Sequence, residues 1–258
     1  MPKFNANLSM MFNEVGFLDR FGAAAKAGFR GVEFLFPYDF PAAQIRERLD
    51  KHKLEMVLFN MPPGDFAGGD RGLACDPAKV GQFQDTIGKT LEYAKALGAT
   101  QIHCMAGLKP RGVGEDKMRE TYIANLQFAG KELAKQNLKL LIEAINTRDI
   151  PGFYLNYSRQ AFDIMHYANL PNLLFQYDIY HMQIMEGDLA TTVEKNLAKI
   201  GHMQLADTPG RHEPGTGEIN YPFLFQFFDK IGYKGWIGCE YRPAGNTEAG
   251  LGWLKPYL

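Results

Sequence analysis

Short runs rich in Leu, Ile, Val and Phe recur along the chain, alternating with longer stretches whose apolar positions repeat at helical spacing. The runs predict strands at 4–9, 31–36, 55–61, 101–107, 138–145, 173–179, 200–207 and 235–241. The patterns between them predict helices at 14–27, 42–52, 77–97, 115–136, 158–168, 188–197 and 221–231, with a last one at 247–254. Several strand runs are almost continuously apolar, as expected of a parallel sheet whose outer face is covered by helices. Ala27-Gly28-Phe29 and Leu97-Gly98-Ala99 read as helix ends with Gly in the left-handed position. Strict alternation of strands and helices predicts one (β/α)8 TIM barrel over residues 1–258, an ordinary length for that fold. A doubly wound open sheet shares the alternation. It is disfavoured because no GxGxxG follows the first strand, and because polar residues gather after the late strands rather than at one switch point. Residues 62–77, rich in Gly and Pro, follow the third strand and would lie over the barrel mouth as a candidate lid.

Composition narrows the function classes. With 46% hydrophobic and 22% charged residues the chain can bury a large core. A net charge of −1 lacks the basic footprint that nucleic acid or an anionic membrane requires. The first twelve residues carry one Lys and no long apolar run, which does not fit a signal peptide. No stretch approaches the roughly 20 apolar residues of a membrane helix. Cys75, Cys104 and Cys239 have no metal-type spacing and form no disulfide framework, so a reducing cytoplasm is the expected setting.

Barrel enzymes place their chemistry at the C-terminal ends of strands. The fifth run, LKLLIEAI, puts Glu143 near its end, and a charge within so apolar a run needs a partner or a metal. LLFQYDIYH places Asp178 likewise, with His181 three residues on; IGHMQLAD offers Gln204 within the strand and Asp207 at its end; GWIGCEY brings Glu240. Strands five to eight are neighbours, so these oxygen ligands can converge on one divalent metal if each side chain faces inward. Asp207 is read as opening the next loop, and His181 as either a hydrogen-bonding partner or a substrate contact. His103 and His202 lie inside strand runs and are read as core histidines. Cys239 is expected to face the helices if Glu240 faces in.

The segments IEAIN, QYDIYHMQ, GHMQLAD, GEINY and GCEYRP, with ANLSMMF and GVEFLFPYD near the start, resemble the hydroxypyruvate isomerase family of the xylose-isomerase-like barrels. The resemblance covers essentially the whole chain. It implies isomerisation of hydroxypyruvate to 2-hydroxy-3-oxopropanoate, with Glu143 and Glu240 as the proton-carrying pair. It also implies metal ligation by Glu143, Asp178, Gln204 and Glu240. A four-carbon 2-oxo-tetronate isomerase, or a related ketose epimerase, shares nearly all these motifs. Sugar epimerases of the wider group carry His where this chain has Gln204; the all-oxygen set favours Mg²⁺ or Mn²⁺ over Zn²⁺.

Charge counting adds one expectation. Three carboxylates and one divalent ion leave −1, which repels an acidic substrate by about 4 kcal/mol per unit pair at 4 Å and an effective dielectric of 20. A cation must therefore face a sugar-acid substrate. The loop after strand seven supplies Arg211 and His212, of which Arg211 has the bidentate fork, although a solvent-facing loop charge is an equal reading of it. Glu213 and Glu218 are read as shaping that loop. A small sugar acid is thus the expected partner, with self-association left open.

Overall fold

The computed structural model describes residues 1–257. Eight parallel strands, β1 (Lys3–Asn7), β2 (Gly31–Phe34), β3 (Glu55–Asn60), β4 (Gln101–His103), β5 (Lys139–Glu143), β6 (Leu173–Asp178), β7 (Ile200–Leu205) and β8 (Trp236–Cys239), close in chain order. Closure is made by β1 against β8, with Asn5 opposite Gly238. A doubly wound sheet is thereby excluded. Around the barrel run α1 (Phe17–Lys26), α2 (Ala42–His52), α3 (Val80–Leu97), α4 (Glu115–Ala134), α5 (Ser158–Ala168), α6 (Ile179–Met185), α7 (Leu189–Asn196), α8 (Tyr221–Lys230) and α9 (Thr247–Gly250). Among the described residues, no helix is long and apolar enough to cross a membrane.

The strands end earlier than their apolar runs suggest. β4 stops at His103 although the run continues to Gly107, because the chain leaves the ladder there to build the mouth. The helix ends match the sequence signals: Gly28 has φ 100° and Gly98 has φ 70°. The sequence reading lacked α6, which begins directly at the end of β6. Asp178 caps it, its carboxylate accepting from the backbone N–H groups of Tyr180 and His181.

Two apolar clusters hold the barrel. The large one fills the space between sheet and helices and includes Cys239, which faces outward as expected. A small separate cluster of Val57, Leu58 and Leu141, with Leu174 and Trp236 packed against it, lies toward the N-terminal end of the strands. Above it the interior turns polar: Asn5, Glu33, Gln176, His202 and Gln204 are all buried. Gly238 makes room for this layer, since a Cβ there would stand 2.4 Å from both carboxylate oxygens of Glu33.

Candidate active site at the C-terminal mouth

A cavity of about 290 Å³ opens at the C-terminal ends of the strands, lined among others by His103, Glu143, His181, Arg211 and Glu240. A larger hollow of about 400 Å³ at the opposite end, beside Lys3, Arg30 and Trp236, gathers no comparable chemistry. Glu143 ends β5, Asp178 ends β6, and Glu240 follows β8 with its N–H donating to the Leu205 carbonyl at 3.1 Å. Ligand atoms of Glu143, Asp178, His181 and Glu240 all lie within 4.8 Å of one another, and all four residues are buried.

The sequence alone left the role of His181 open; its hydrogen bonds fix the tautomer and orientation of the ring. Asn146 Oδ1 accepts from the N–H groups of Arg148 and Asp149, which turns its Nδ2 toward His181 Nδ1 at 2.7 Å. An amide N–H donating there makes Nδ1 an acceptor, so the neutral ring carries its proton on Nε2. Burial, with Arg211 close by, holds the His181 pKa well below its ordinary value, and the ring is neutral. Its Nε2 stands 3.5 Å from Asp178 Oδ2 and 3.8 Å from Glu143 Oε1, an N–H donor aimed into the cluster.

The carboxylates are electrostatically crowded. Burial and then the charges of Glu240 and Asp178 push the Glu143 pKa far up. Burial raises Asp178 to about 6 and Glu240 to about 8, in each case against the opposing pull of Arg211. Glu143 Oε1 and Asp178 Oδ2 are buried without a hydrogen-bond partner. Buried carboxylate oxygens left bare are costly, and a divalent cation among them supplies what they lack. The donor set therefore fits a metal.

Gln204 stands opposite Asp178 in the ladder. Its Nε2 donates to Glu33 Oε1 at 2.7 Å and its Oε1 accepts from Gln176 Nε2 at 2.6 Å. The carbonyl oxygen keeps one lone pair beyond that bond. Glu33, which the sequence reading did not single out, is the hub of this layer: Asn5, Asn7, His202 and Gln204 all bond to its carboxylate. Despite complete burial, charge interaction with His202 and these hydrogen bonds hold its pKa below the usual carboxylate value. Asn7 extends the layer upward, donating also to Glu240 Oε1 at 3.2 Å.

Arg211 reaches the cavity and is engaged there. Its Nη2 lies 2.6 Å from Glu240 Oε2 and 3.9 Å from Asp178 Oδ2, and its Nη1 lies 2.9 Å from Asp149 Oδ2. The guanidinium packs over the Tyr180 ring at 5.0 Å. Its charge is thus directed to the protein's own carboxylates. His212 is not brought to the cavity lining: its Nδ1 bonds the Arg242 carbonyl at 2.7 Å, drawn aside by a backbone partner. Asp207 organises its loop as expected, accepting from the N–H groups of Gly215, Gly217 and Ile219. Glu213 and Glu218 likewise bond neighbouring segments, through Ala244 N–H and Gln183 Nε2.

His103 departs from the sequence reading as a core residue. Its Nδ1 pairs with Asn60 Oδ1 at 3.1 Å, but its Nε2 has no hydrogen bond and stands 3.6 Å from Glu143 Oε2 at the cavity wall. Burial lowers its pKa to about 3, so it too is neutral. Its signal was its place at the very end of β4, concealed because the apolar run continues for four more residues. His202 is a core residue, paired to Glu33 at 2.8 Å.

Residues 21–257 match the family model of the xylose isomerase-like TIM barrel. The chain is 54% identical to a 2-oxo-tetronate isomerase of Cupriavidus necator, covering 100% of this chain and 99% of that protein. It is 49% identical to a hydroxypyruvate isomerase of Escherichia coli over the full length of both. A solved structure from Brucella melitensis, described as an AP endonuclease of family 2, superposes with a TM-score of 0.98 at 48% identity, covering 100% of this chain and 99% of that one. The chain belongs to the xylose isomerase-like TIM barrel family.

Proposed function

We propose that this protein is an aldose–ketose isomerase of a short 2-oxo sugar acid, interconverting hydroxypyruvate and 2-hydroxy-3-oxopropanoate. The observation that carries the reading is the set of buried, crowded carboxylates of Glu143 and Glu240, with the His181 Nε2–H beside them. Moving the carbonyl from C2 to C3 requires removal of a proton from C3 and delivery of one to C2 through an enediolate, while a second proton passes from the C3 hydroxyl to the C2 oxygen. One of Glu143 and Glu240 takes the C3 proton and the other supplies a solvent-exchanged proton to C2; burial and crowding raise both pKa values, that of Glu240 to about 8, which suits groups that must hold and release a proton. His181, a neutral donor, stabilises the oxygen that gains negative charge.

Glu143, Asp178, Gln204 and Glu240 are the residues that would hold a divalent ion, with Mg²⁺ or Mn²⁺ favoured by the all-oxygen set. Such an ion supplies Lewis-acid stabilisation of the enediolate oxygens. Asn7 and Glu33 orient Glu240 from below, and Arg211 balances its charge from above.

The 54% relative favours a second reading in which the substrate is the four-carbon 2-oxo-tetronate. DNA repair, suggested by the name of the Brucella structure, fits poorly with a net charge of −1. A kinetic panel of hydroxypyruvate, 2-oxo-tetronate and neutral three- to six-carbon ketoses, with and without chelator, tests the reading. An acid should be preferred and chelator should abolish turnover. Preference for a neutral ketose, or indifference to chelator, would overturn it.

A further inference from the structure

With Arg211 committed to Glu240 and Asp149, the carboxylate of an acid substrate needs another cation, and the cavity offers one already positioned. Arg71, in the segment after β3, lines the same cavity. Its Nη1 donates to the carbonyls of Phe66 and Asp70 at 3.0 and 2.7 Å, and its guanidinium lies over the Phe66 ring at 4.1 Å. Phe66 in turn packs against Phe36 with ring centroids 5.1 Å apart. Among the described residues, no carboxylate lies within 4.0 Å of the Arg71 guanidinium, which distinguishes it from Arg211. One edge of the fork is therefore fixed by backbone carbonyls and its face by an aromatic ring, while its charge has no internal counter-ion.

The segment that carries Arg71 is built to hold still. Asp70 accepts from the Asp65 N–H at 2.9 Å and pairs with Lys79. Gly72, at φ 105°, presses against β4's exit: a Cβ there would stand 2.4 Å from the Met105 carbonyl oxygen, so only Gly fits. Cys75 N–H then bonds the Ala106 carbonyl at 2.8 Å. A planar, weakly hydrated cation held in this way loses little freedom when it binds a carboxylate through two parallel bonds.

We propose that Arg71 is the specificity-determining residue that takes the substrate's carboxylate and makes this an acid isomerase rather than a neutral-ketose isomerase. The assignment rests on the acid-isomerase reading above. Arg242, also on the cavity wall, is exposed and unstacked; it adds field rather than a seat.

The test compares hydroxypyruvate with dihydroxyacetone, a neutral ketose of the same length, in wild type, Arg71→Met, Arg71→Lys and Arg242→Met, each checked for an unchanged melting temperature. In Arg71→Met the KM for hydroxypyruvate should rise about 30-fold or more with kcat changed by less than about threefold, while KM for dihydroxyacetone stays put. Arg71→Lys should fall between, and Arg242→Met should shift KM by only a few-fold. If Arg71→Met fails to fold, Arg71→Lys decides alone: an acid-selective rise in KM supports the role and none overturns it. An equal loss on both substrates, or an acid-selective effect confined to Arg242→Met, also overturns it. Wild type preferring dihydroxyacetone would instead sink the acid-isomerase reading itself, which separates the two failures.

Discussion

Asn146 donates its amide N–H to Nδ1 of His181 at 2.7 Å, and that one bond decides which nitrogen of the ring faces the carboxylates. The orientation of Asn146 is itself held by two backbone N–H groups, so the chain of control runs from a tight turn after β5 to a proton in the active site. Asn146→Asp places an acceptor opposite Nδ1 and should move the ring proton there, leaving Nε2 bare. The expected result is a loss of roughly 10²-fold in kcat with a small change in KM, and a change of tautomer in the nitrogen NMR spectrum of His181. Unchanged tautomer and kcat would remove Asn146 from the mechanism.

The crowded carboxylates predict an inverted pH profile for the metal-free protein. Asp178 and Glu240 titrate at about 6 and about 8 in the fold, against 3.8 and 4.5 ordinarily, because burial opposes their charge. Between the ordinary and the raised values the folded state holds protons that the unfolded state has lost, so stability falls as pH rises through that window. Calorimetry of chelated protein should show Tm declining from pH 5 to pH 8. Saturating Mn²⁺ should raise Tm by roughly 5–10 °C at pH 8 and by less at pH 5, where protons compete for the same oxygens. A metal-free Tm that climbs toward pH 8 would contradict the assignment.

Gly238 leaves the space that the Glu33 carboxylate occupies, and Glu33 is what Asn7 and Gln204 lean on. Gly238→Ala should therefore cost about 1–3 kcal/mol in urea unfolding, as overpacking does, and should lower kcat by loosening Glu240 through Asn7. Wild-type stability and turnover in this variant would show that the polar layer does not position the site.

The barrel was legible because each of its eight strands leaves an apolar run and each helix a periodic one. So was the convergence of Glu143, Asp178 and Glu240, since a carboxylate at the end of such a run has few other uses. What escaped were residues whose meaning depends on neighbours far away in the chain. Glu33 sits in an ordinary-looking GVEF strand, and its role exists only because β1, β7 and β8 turn Asn5, His202, Gln204 and Gly238 toward it. His103 and Arg71 were missed for related reasons: one is hidden in a long apolar run, the other in a Gly-rich loop whose anchoring cannot be read from composition. Arg211 was legible as a loop cation after strand seven; that it lies at the mouth, paired with Glu240 and Asp149, required the fold.

The central claim is that Glu143 and Glu240 take the proton from C3 and supply a solvent-exchanged one to C2. Following hydroxypyruvate turnover in D2O with wild type, Glu143→Gln and Glu240→Gln tests it most directly, because Gln keeps the shape and an oxygen ligand but cannot accept the proton. Wild type should place deuterium from solvent at C2 of the product, and each variant should lose roughly 10³-fold or more in kcat while remaining folded. Turnover within about tenfold of wild type in either variant, with deuterium still delivered to C2, would contradict the account.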